Sequence, residues 1–233
     1  MAQVTFASPS MPDSNQVEGT GTTTGYSAVV YVTGRTYVLR VMLATSNRTV
    51  SAVSDTGSNT WTRQVQQQMT GTTWPRIEIW TCIPSSGTRD ITINFGGLVT
   101  EYHVQLDEIS NADATTPVSA TGSNAQSSST TSHAMAGSSL TVPAEGLVLG
   151  VCGWNAGPGT LTTTFAQGWG ASAGGGTNGS RMLSLSSAGG TTTNGAITSS
   201  ISRTSAGGMI VYQPTVSGGA SLAGQLLLLG VGA

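Results

Sequence analysis

Several short patterns in the chain contain residue types that can do chemistry. Gly170–Gly174 (GASAG) has the G-x-S-x-G spacing of a nucleophile elbow, in which a serine attacks an acyl carbonyl. That mechanism needs a helix after the serine and a histidine later in the chain. Both histidines, His103 and His133, precede Ser172, and a glycine-rich tract follows it. We therefore predict a loop residue at Ser172 and no catalytic role.

A second glycine pattern, G-x-G-x-x-G, spans Gly174–Gly179. It is typical of dinucleotide-binding loops, which hold a pyrophosphate between a parallel strand and the N-terminus of a helix. The flanking sequence predicts no such unit, and chance matches are common in a chain with 32 glycines. We expect a loop or hairpin tip here and no cofactor.

Glu101 and His103 are two residues apart, so their side chains share one face of a strand. Asp107 and Glu108 follow closely, and such a cluster can act in acid–base catalysis or bind a metal. The polar, solvated side of a half-buried strand produces the same pattern. We predict a solvated face, with a subunit contact or chemistry as the alternatives.

The segment SDTGSNTW has Asp55, Gly57 and Asn59 at alternate positions, a spacing at which oxygen ligands can bind calcium. The segment lacks the further carboxylates that a complete coordination shell needs. We predict a tight connection before a strand at Trp61, with a calcium site as the alternative.

Three tryptophans, Trp74, Trp154 and Trp169, each lie beside glycine or proline, as sugar-stacking tryptophans often do. Tryptophans in such positions also fill the ends of β-sandwiches and anchor subunit interfaces. We predict core or interface positions and keep glycan stacking as the alternative.

Cys82 and Cys152 each lie in a β-like segment, with no Cys or His at metal-ligand spacing. We predict two buried free thiols. A disulfide is the alternative, and it would need neighbouring strands with Cα atoms about 4.4–6.8 Å apart.

The elements that must position these residues are short strands. From Tyr26 onward, segments rich in Val, Ile, Thr, Tyr and Trp are separated by Gly, Asn, Asp, Ser or Pro about every eight to twelve residues, as in sandwiches and barrels. Ile91, Ile93 and Phe95 alternate with polar residues, which indicates one buried face. No segment has a helical apolar stripe. We predict an all-β, antiparallel β-sandwich with almost no helix.

Two segments stand apart from this alternation. Gly146–Trp154 is apolar on both faces, which predicts a central strand covered on each side. Residues 119–139 are rich in Ser and Thr and are either a linker or a pair of weak strands with polar faces. We favour strands, because a further strand begins directly after them.

The domain prediction has three parts. Residues 1–25 are assigned to an N-terminal arm, residues 26–214 to one β-sandwich domain, and residues 215–233 to an apolar C-terminal strand or tail. Two stacked sandwiches are the alternative to one domain. Leu226–Leu229 is apolar on both faces, so it is either a central strand of its own sheet or a strand added to another subunit.

The chain carries very little charge. Only 8% of its residues are Asp, Glu, Lys or Arg, against about 25% in typical domains, and after residue 113 only Glu145, Arg181 and Arg203 are charged. A surface of Thr, Ser, Asn, Gln and Gly exerts no long-range repulsion and suits packing against other subunits. We expect these contacts mainly in the later half, with the charged strands of the first half facing solvent.

Charge and hydropathy also exclude several classes of function. The net charge of −2 is the opposite of the basic surface that non-specific nucleic-acid binding needs. The longest apolar run that we identify, Ala28–Val32, is far shorter than the about 20 residues that span a bilayer. The N-terminal residues lack a basic and apolar leader, so we expect no secretory signal peptide.

The order of the segments VSDTGSNTW, RIEIWTC and GWG resembles a broad group of bacterial and phage β-sandwich proteins. In that group a D-x-x-G-N-T-W turn, an E-I-W strand and a late G-W turn recur in this order, and here the glycine of the turn comes one place earlier. The resemblance covers residues 26–214. It implies a jelly-roll-like sandwich of the kind found in virion or cell-surface proteins.

We therefore predict a non-enzymatic virion structural protein, a capsid decoration or other surface subunit that assembles through its termini and charge-poor faces. Its expected partners are copies of itself and a major capsid or other virion protein, with an extracellular or cell-surface location as the alternative. A carbohydrate-binding or receptor-binding module of a phage fibre and a self-assembling extracellular filament subunit are the alternative functions.

We assign no catalytic, cofactor-binding or metal-binding residue. The predicted subunit contacts are Met11, Pro12, Leu226, Leu227, Leu228 and Leu229, and the possible glycan-stacking residues are Trp74, Trp154 and Trp169.

Overall fold

The computed structural model describes residues 2–7, 16–44, 48–69, 75–167, 179–187 and 190–215. All regular structure in these ranges is β-strand, which confirms the predicted all-β class. No helix in them is long and apolar enough to cross a membrane. The strands are β1 (Thr5–Phe6), β2 (Gln16–Tyr31), β3 (Thr36–Leu43), β4 (Val50–Asp55), β5 (Thr62–Gln68), β6 (Arg76–Cys82), β7 (Gly87–Ser110), β8 (Val118–Ala134), β9 (Leu140–Val142), β10 (Gly146–Trp154), β11 (Leu161–Thr163), β12 (Ala166–Gln167), β13 (Gly179–Ser187), β14 (Thr191–Thr193) and β15 (Ala196–Tyr212).

The first sheet contains seven of these strands, in the order β1-β7-β3-β6-β5, with β2 and β4 also paired to β7. The early half of β7 pairs with β4 and its late half with β3, while β2 runs antiparallel along both halves. Between the halves, Gly97 has a φ of 144°, a conformation that glycine adopts without strain. Side chains from both halves meet in one apolar cluster, so the sheet is folded over on itself. This first-sheet cluster includes Tyr26, Leu39, Val41, Ile91, Ile93, Phe95, Val104 and Leu106.

The second sheet contains six of the described strands, in the order β11-β15-β10-β13-β12, with β8 also paired to β15. All of its ladders are antiparallel. Strands β9 and β14 form a separate two-stranded sheet. The two large sheets pack face to face, which confirms the predicted antiparallel sandwich.

Strands β3 and β10 are buried on both faces because apolar layers lie on each side of them. Val38 and Met42 of β3 face the second sheet, whereas Leu39 and Val41 face the first-sheet cluster. Leu149 of β10 lies in an inter-sheet cluster, with Val38, Met42, Ile77, Ile79, Leu147, Val151 and Ile210. The other face of β10 contributes to a second-sheet cluster, with Met135, Val142, Val148, Cys152, Trp154, Phe165, Met209 and Val211. The prediction that Gly146–Trp154 is covered on each side is confirmed.

Two segments differ from their sequence-based descriptions. Residues 119–139 include all but the first residue of one 17-residue strand, β8 (Val118–Ala134), which pairs with β15 in place of the predicted pair of strands. Part of the predicted N-terminal arm belongs to the first sheet, since β2 begins at Gln16 and pairs with β7 from that residue onward.

Candidate functional site

A polar cluster lies between the two large sheets, where the sequence predicted a solvated strand face. His103, Gln105 and Asp107 alternate along β7 as expected, but none of them is more than 2% exposed. The prediction of a solvated face is therefore wrong for these residues. The second sheet covers this face, and the alternation of polar and apolar residues along one strand could not show that a second layer packs on the polar side.

Arg40 is the centre of this cluster and is fully buried. Its Nε donates a hydrogen bond to Asp107 Oδ2 at 2.7 Å, and Gln105 donates to Asp107 Oδ1 at 2.7 Å. Arg40 Nη1 donates to the carbonyl oxygen of Gly150 in β10 at 2.9 Å. A buried charge is tolerated only when it is paired, and Asp107 supplies that pairing from the neighbouring strand of the same sheet. The bond from Arg40 to Gly150 links the pair to the second sheet.

His103 forms a second link between the sheets. Its Nδ1 lies 2.7 Å from Ser180 Oγ in β13, and its Nε2 lies 3.2 Å from Glu101 Oε1. Burial lowers the pKa of His103, against the opposing effect of Glu101 and Glu18. These residue types resemble a serine, histidine and carboxylate triad, but Ser180 is only 2% exposed, so no substrate carbonyl reaches its hydroxyl in this conformation. The arrangement joins β7 to β13.

His133 is buried in a similar way within the second sheet. Its Nδ1 lies 2.9 Å from Ser205 Oγ and its Nε2 lies 3.0 Å from Ser199 Oγ. Its ring packs edge-on against Trp154, with 5.8 Å between the ring centroids. Burial lowers the pKa of His133. The imidazole is therefore held neutral, with both ring nitrogens next to hydroxyl groups.

The tryptophan predictions have different outcomes. Trp154 is fully buried in β10, which confirms the predicted core position and contradicts the alternative of glycan stacking at this residue. Trp74 and Trp169 lie outside the described residues. The same is true of Ser172 and of the predicted subunit contacts Met11, Pro12, Leu226, Leu227, Leu228 and Leu229.

The turn at Asp55 is a tight connection, as predicted. Asp55 Oδ1 accepts hydrogen bonds from the backbone N–H groups of Gly57 and Asn59, at 2.9 and 3.1 Å. Asp55 Oδ2 accepts from the indole of Trp61 and the hydroxyl of Tyr31, each at 3.2 Å. Burial raises the pKa of Asp55, but these hydrogen bonds outweigh it and hold the pKa below its usual value. The carboxylate therefore organises the turn that leads into β5.

Both cysteines are buried and free, which confirms the predicted thiols. Cys82 lies in the first-sheet cluster and Cys152 in the second-sheet cluster. Burial raises the pKa of Cys82 to about 12 and also raises the pKa of Cys152. Neither thiol is activated as a nucleophile, since a thiolate is the reactive form.

A surface groove of about 400 Å³ lies where β5 and the end of β6 approach the start of β8. Ile83 stands at this groove and is 43% exposed. The groove has no charged side chain in its lining, so it suits an uncharged, partly apolar chain segment better than an ion. Its lining residues are Thr60, Thr62, Gln64, Thr81, Cys82, Ile83, Thr115, Thr116, Pro117 and Val118.

The groove belongs to one flank of the sandwich, formed by β5 and β8. Within the described ranges, β5 pairs only with β6 and β8 pairs only with β15, so both are edge strands. Gln67 and Ser123 connect them, with their Oε1 and Oγ atoms 2.9 Å apart. Strand β8 has no charged residue, and β5 has only Arg63. Natural edge strands are usually protected from further pairing by charges, bulges or proline. Here the β5–β6 and β8–β15 ladders contain register shifts, but charge protection is limited to Arg63. We call these two edges and the groove the β5–β8 flank.

Sequence reasoning missed this flank and the buried network for the same reason. Both depend on which strands lie next to each other across the two sheets, and that pairing is not encoded in any short segment. One signal was present: Arg40 lies in a segment that is otherwise apolar on both faces. An arginine at such a position indicates a buried ion pair.

Comparison of the chain with protein-family models, with curated proteins and with solved structures found no match.

Proposed function

We propose that the protein is a non-enzymatic structural subunit of a virus particle, a capsid decoration or other surface subunit that associates with copies of itself and with a major capsid or other virion protein. The β5–β8 flank is the observation that carries this proposal. Two adjacent edge strands with a single charge between them give a second protein a pairing surface without repulsion. The resemblance to phage β-sandwich proteins supports the virion as the location.

The remaining surface is consistent with assembly. The chain has 8% charged residues, and several of these are buried in the sandwich, where Arg40, Glu78 and Asp107 are each at most 2% exposed. Interfaces that hold a shell together bury at least about 1,000 Å² in total, and an uncharged surface lowers the desolvation cost of doing so.

The test has two parts. Light scattering and negative-stain imaging of the purified full-length protein are expected to show oligomers that form as concentration rises. Mass spectrometry and immunogold labelling of purified virus particles from the source of the sequence are expected to detect the chain on their surface. A protein that stays monomeric at high concentration and is missing from the particles would contradict the proposal.

The same experiment separates the filament alternative. A filament subunit would form long polymers in the absence of any particle, because its interfaces connect head to tail without closing. Closed oligomers or ordered binding to a capsid surface would support the virion subunit instead.

A further inference from the structure

We propose that the groove of the β5–β8 flank binds the C-terminal segment, residues 216–233, of a second copy of this chain. This inference rests on the proposed function, since it names the contact through which copies associate. Its basis is a neutral groove, an exposed strand edge and the uncharged segment that follows Thr215.

The groove has the chemistry of a site for an uncharged segment. Ile83, Pro117 and Val118 provide apolar contact, and the threonine hydroxyls and Gln64 provide hydrogen-bonding groups at its rim. Ile83 is 43% exposed although its neighbour Cys82 is buried, so the groove leaves apolar surface in water. Covering such a side chain contributes favourable free energy in proportion to the apolar area removed from water.

The C-terminal segment matches this chemistry. Residues 216–233 (VSGGASLAGQLLLLGVGA) contain no Asp, Glu, Lys or Arg, and Leu226–Leu229 supplies four consecutive leucines. An extended chain spans about 3.3 Å per residue, so eighteen residues reach about 60 Å. The seven residues of β5 span about 23 Å by the same measure. The segment is therefore long enough to cross to a neighbouring copy and still pair along β5.

The described chain ends beside the groove. The N–H of Gln213 donates to the carbonyl of Pro117, which lines the groove. Pro214 is bridged to Ala112, and the N–H of Thr215 donates to the carbonyl of Asn111. The chain therefore leaves the described structure close to a groove. Because eighteen further residues are long enough to reach a neighbouring copy and copies are proposed to associate, we assign the segment to the groove of a second copy.

Disulfide trapping tests the contact directly. Two single variants of the full chain, Ile83→Cys and Leu228→Cys, are mixed under mild oxidation, with one of them carrying a size tag. We expect a disulfide-linked dimer of the two different chains. Cys152 is buried, and because Cys82 lines the groove the variants are made in a Cys82→Ala background. Leu98→Cys is the matched control for Ile83→Cys, because Leu98 is 56% exposed and lies outside the groove.

Three results of this experiment would overturn the inference. The first is an equal yield of dimer with the Leu98→Cys control, which would show random collision. The second is a bond within one chain in the double variant Ile83→Cys/Leu228→Cys that does not depend on dilution, which would place the segment in its own groove. The third is the lack of any dimer while the full chain is oligomeric by light scattering.

Truncation and charge insertion provide a second measurement. A chain ending at Thr215 is expected to be monomeric, and Ile83→Asp is expected to weaken self-association of the full chain at least about tenfold. Leu98→Asp, the matched control, is expected to leave association unchanged. Circular dichroism of each variant checks that the sandwich is folded.

The outcomes distinguish this inference from the proposed function. If the truncated chain still assembles and still binds virus particles, the inference is wrong and the structural role stands. If the full chain is monomeric and is missing from particles, the structural role itself fails.

Discussion

Arg40 and Asp107 form a buried salt bridge in a chain that has few charged residues. Both side chains are almost completely shielded from water, with Arg40 Nε 2.7 Å from Asp107 Oδ2. A salt bridge at the surface, such as that of Arg35 and Glu108 at 3.8 Å, contributes little to stability. The buried pair joins β3 to β7 within the first sheet, and the hydrogen bond from Arg40 Nη1 to the carbonyl oxygen of Gly150 connects it to the second sheet.

We predict that Asp107→Ala destabilises the protein by about 3–5 kcal/mol, because it leaves the Arg40 guanidinium buried without a counter-ion. The free energy of unfolding in urea measures this effect. Glu108→Ala is the matched control and is expected to cost less than about 1 kcal/mol. Equal effects of the two substitutions would contradict the prediction.

A second prediction concerns how the free energy of unfolding depends on pH. Burial lowers the pKa of His133 below its ordinary value of about 6.5, so the unfolded state binds a proton more readily than the folded state. The stability contributed by the neutral imidazole is complete above pH 6.5 and is lost as the pH falls from there through the folded-state pKa. We expect the free energy of unfolding of the wild type to fall more steeply between pH 7 and pH 5 than that of His133→Gln.

Urea titrations of both proteins at several pH values check this difference, which cannot exceed about 1.4 kcal/mol per pH unit for one proton. Comparing the two slopes removes the contributions of His103 and the carboxylates, which are common to both proteins. Parallel curves would show that His133 carries no such linkage.

At the scale of the elements, close approach of the sheets depends on glycines in the central strands of the second sheet. A Cβ added to Gly153 would lie 2.7 Å from Met42 Cγ, and one added to Gly208 would lie 2.7 Å from Val65 Cγ1. Such distances are shorter than van der Waals contact, so the facing strands would have to move apart. The glycines therefore set the spacing of the inter-sheet cluster.

We predict that Gly208→Ala destabilises the protein by about 1–3 kcal/mol through overpacking against Ile77 and Val65. Gly96→Ala is the matched control, because the nearest atom to its added Cβ is 3.8 Å away. Thermal unfolding followed by circular dichroism compares the two variants. A melting temperature that falls equally for both would contradict this account of the sheet spacing.

The sequence predicts where the strands lie more accurately than it predicts what covers each face of a strand. The alternation of Ile91, Ile93 and Phe95 and the two apolar faces of Gly146–Trp154 are correct, because a strand's own residues determine which sides can be buried. The sequence predicts that the polar side of β7 faces solvent. This prediction is wrong because the layer that covers this side is formed by strands far away in the chain. The β5–β8 flank escaped prediction for the same reason.

At the scale of the whole molecule, the described residues form three apolar clusters stacked through the two large sheets, and the inter-sheet cluster lies between the other two. The two thiols report on the outer two clusters, since Cys82 lies in the first-sheet cluster and Cys152 in the second-sheet cluster. This placement allows the cooperativity of the molecule to be measured without a new label.

We predict that neither thiol reacts with a thiol-specific reagent in the native protein at pH 8 and that both react at the same urea concentration. Their joint exposure is expected because the Arg40 network and the inter-sheet cluster couple the two halves. Quantitative labelling followed by mass spectrometry of peptides checks both statements. Exposure of one thiol well before the other would show that the halves unfold separately.

The length of β7 has a mechanical consequence. This strand has 24 residues, about 80 Å if fully extended, and it is paired along most of its length with β2 on one side and with β3 or β4 on the other. Because the strand turns between its halves near Gly97, a pulling force can be directed along one half at a time. Such a force loads the hydrogen bonds of that half in shear, so that many must break together. Each half of β7 is therefore expected to resist a pull along its own direction.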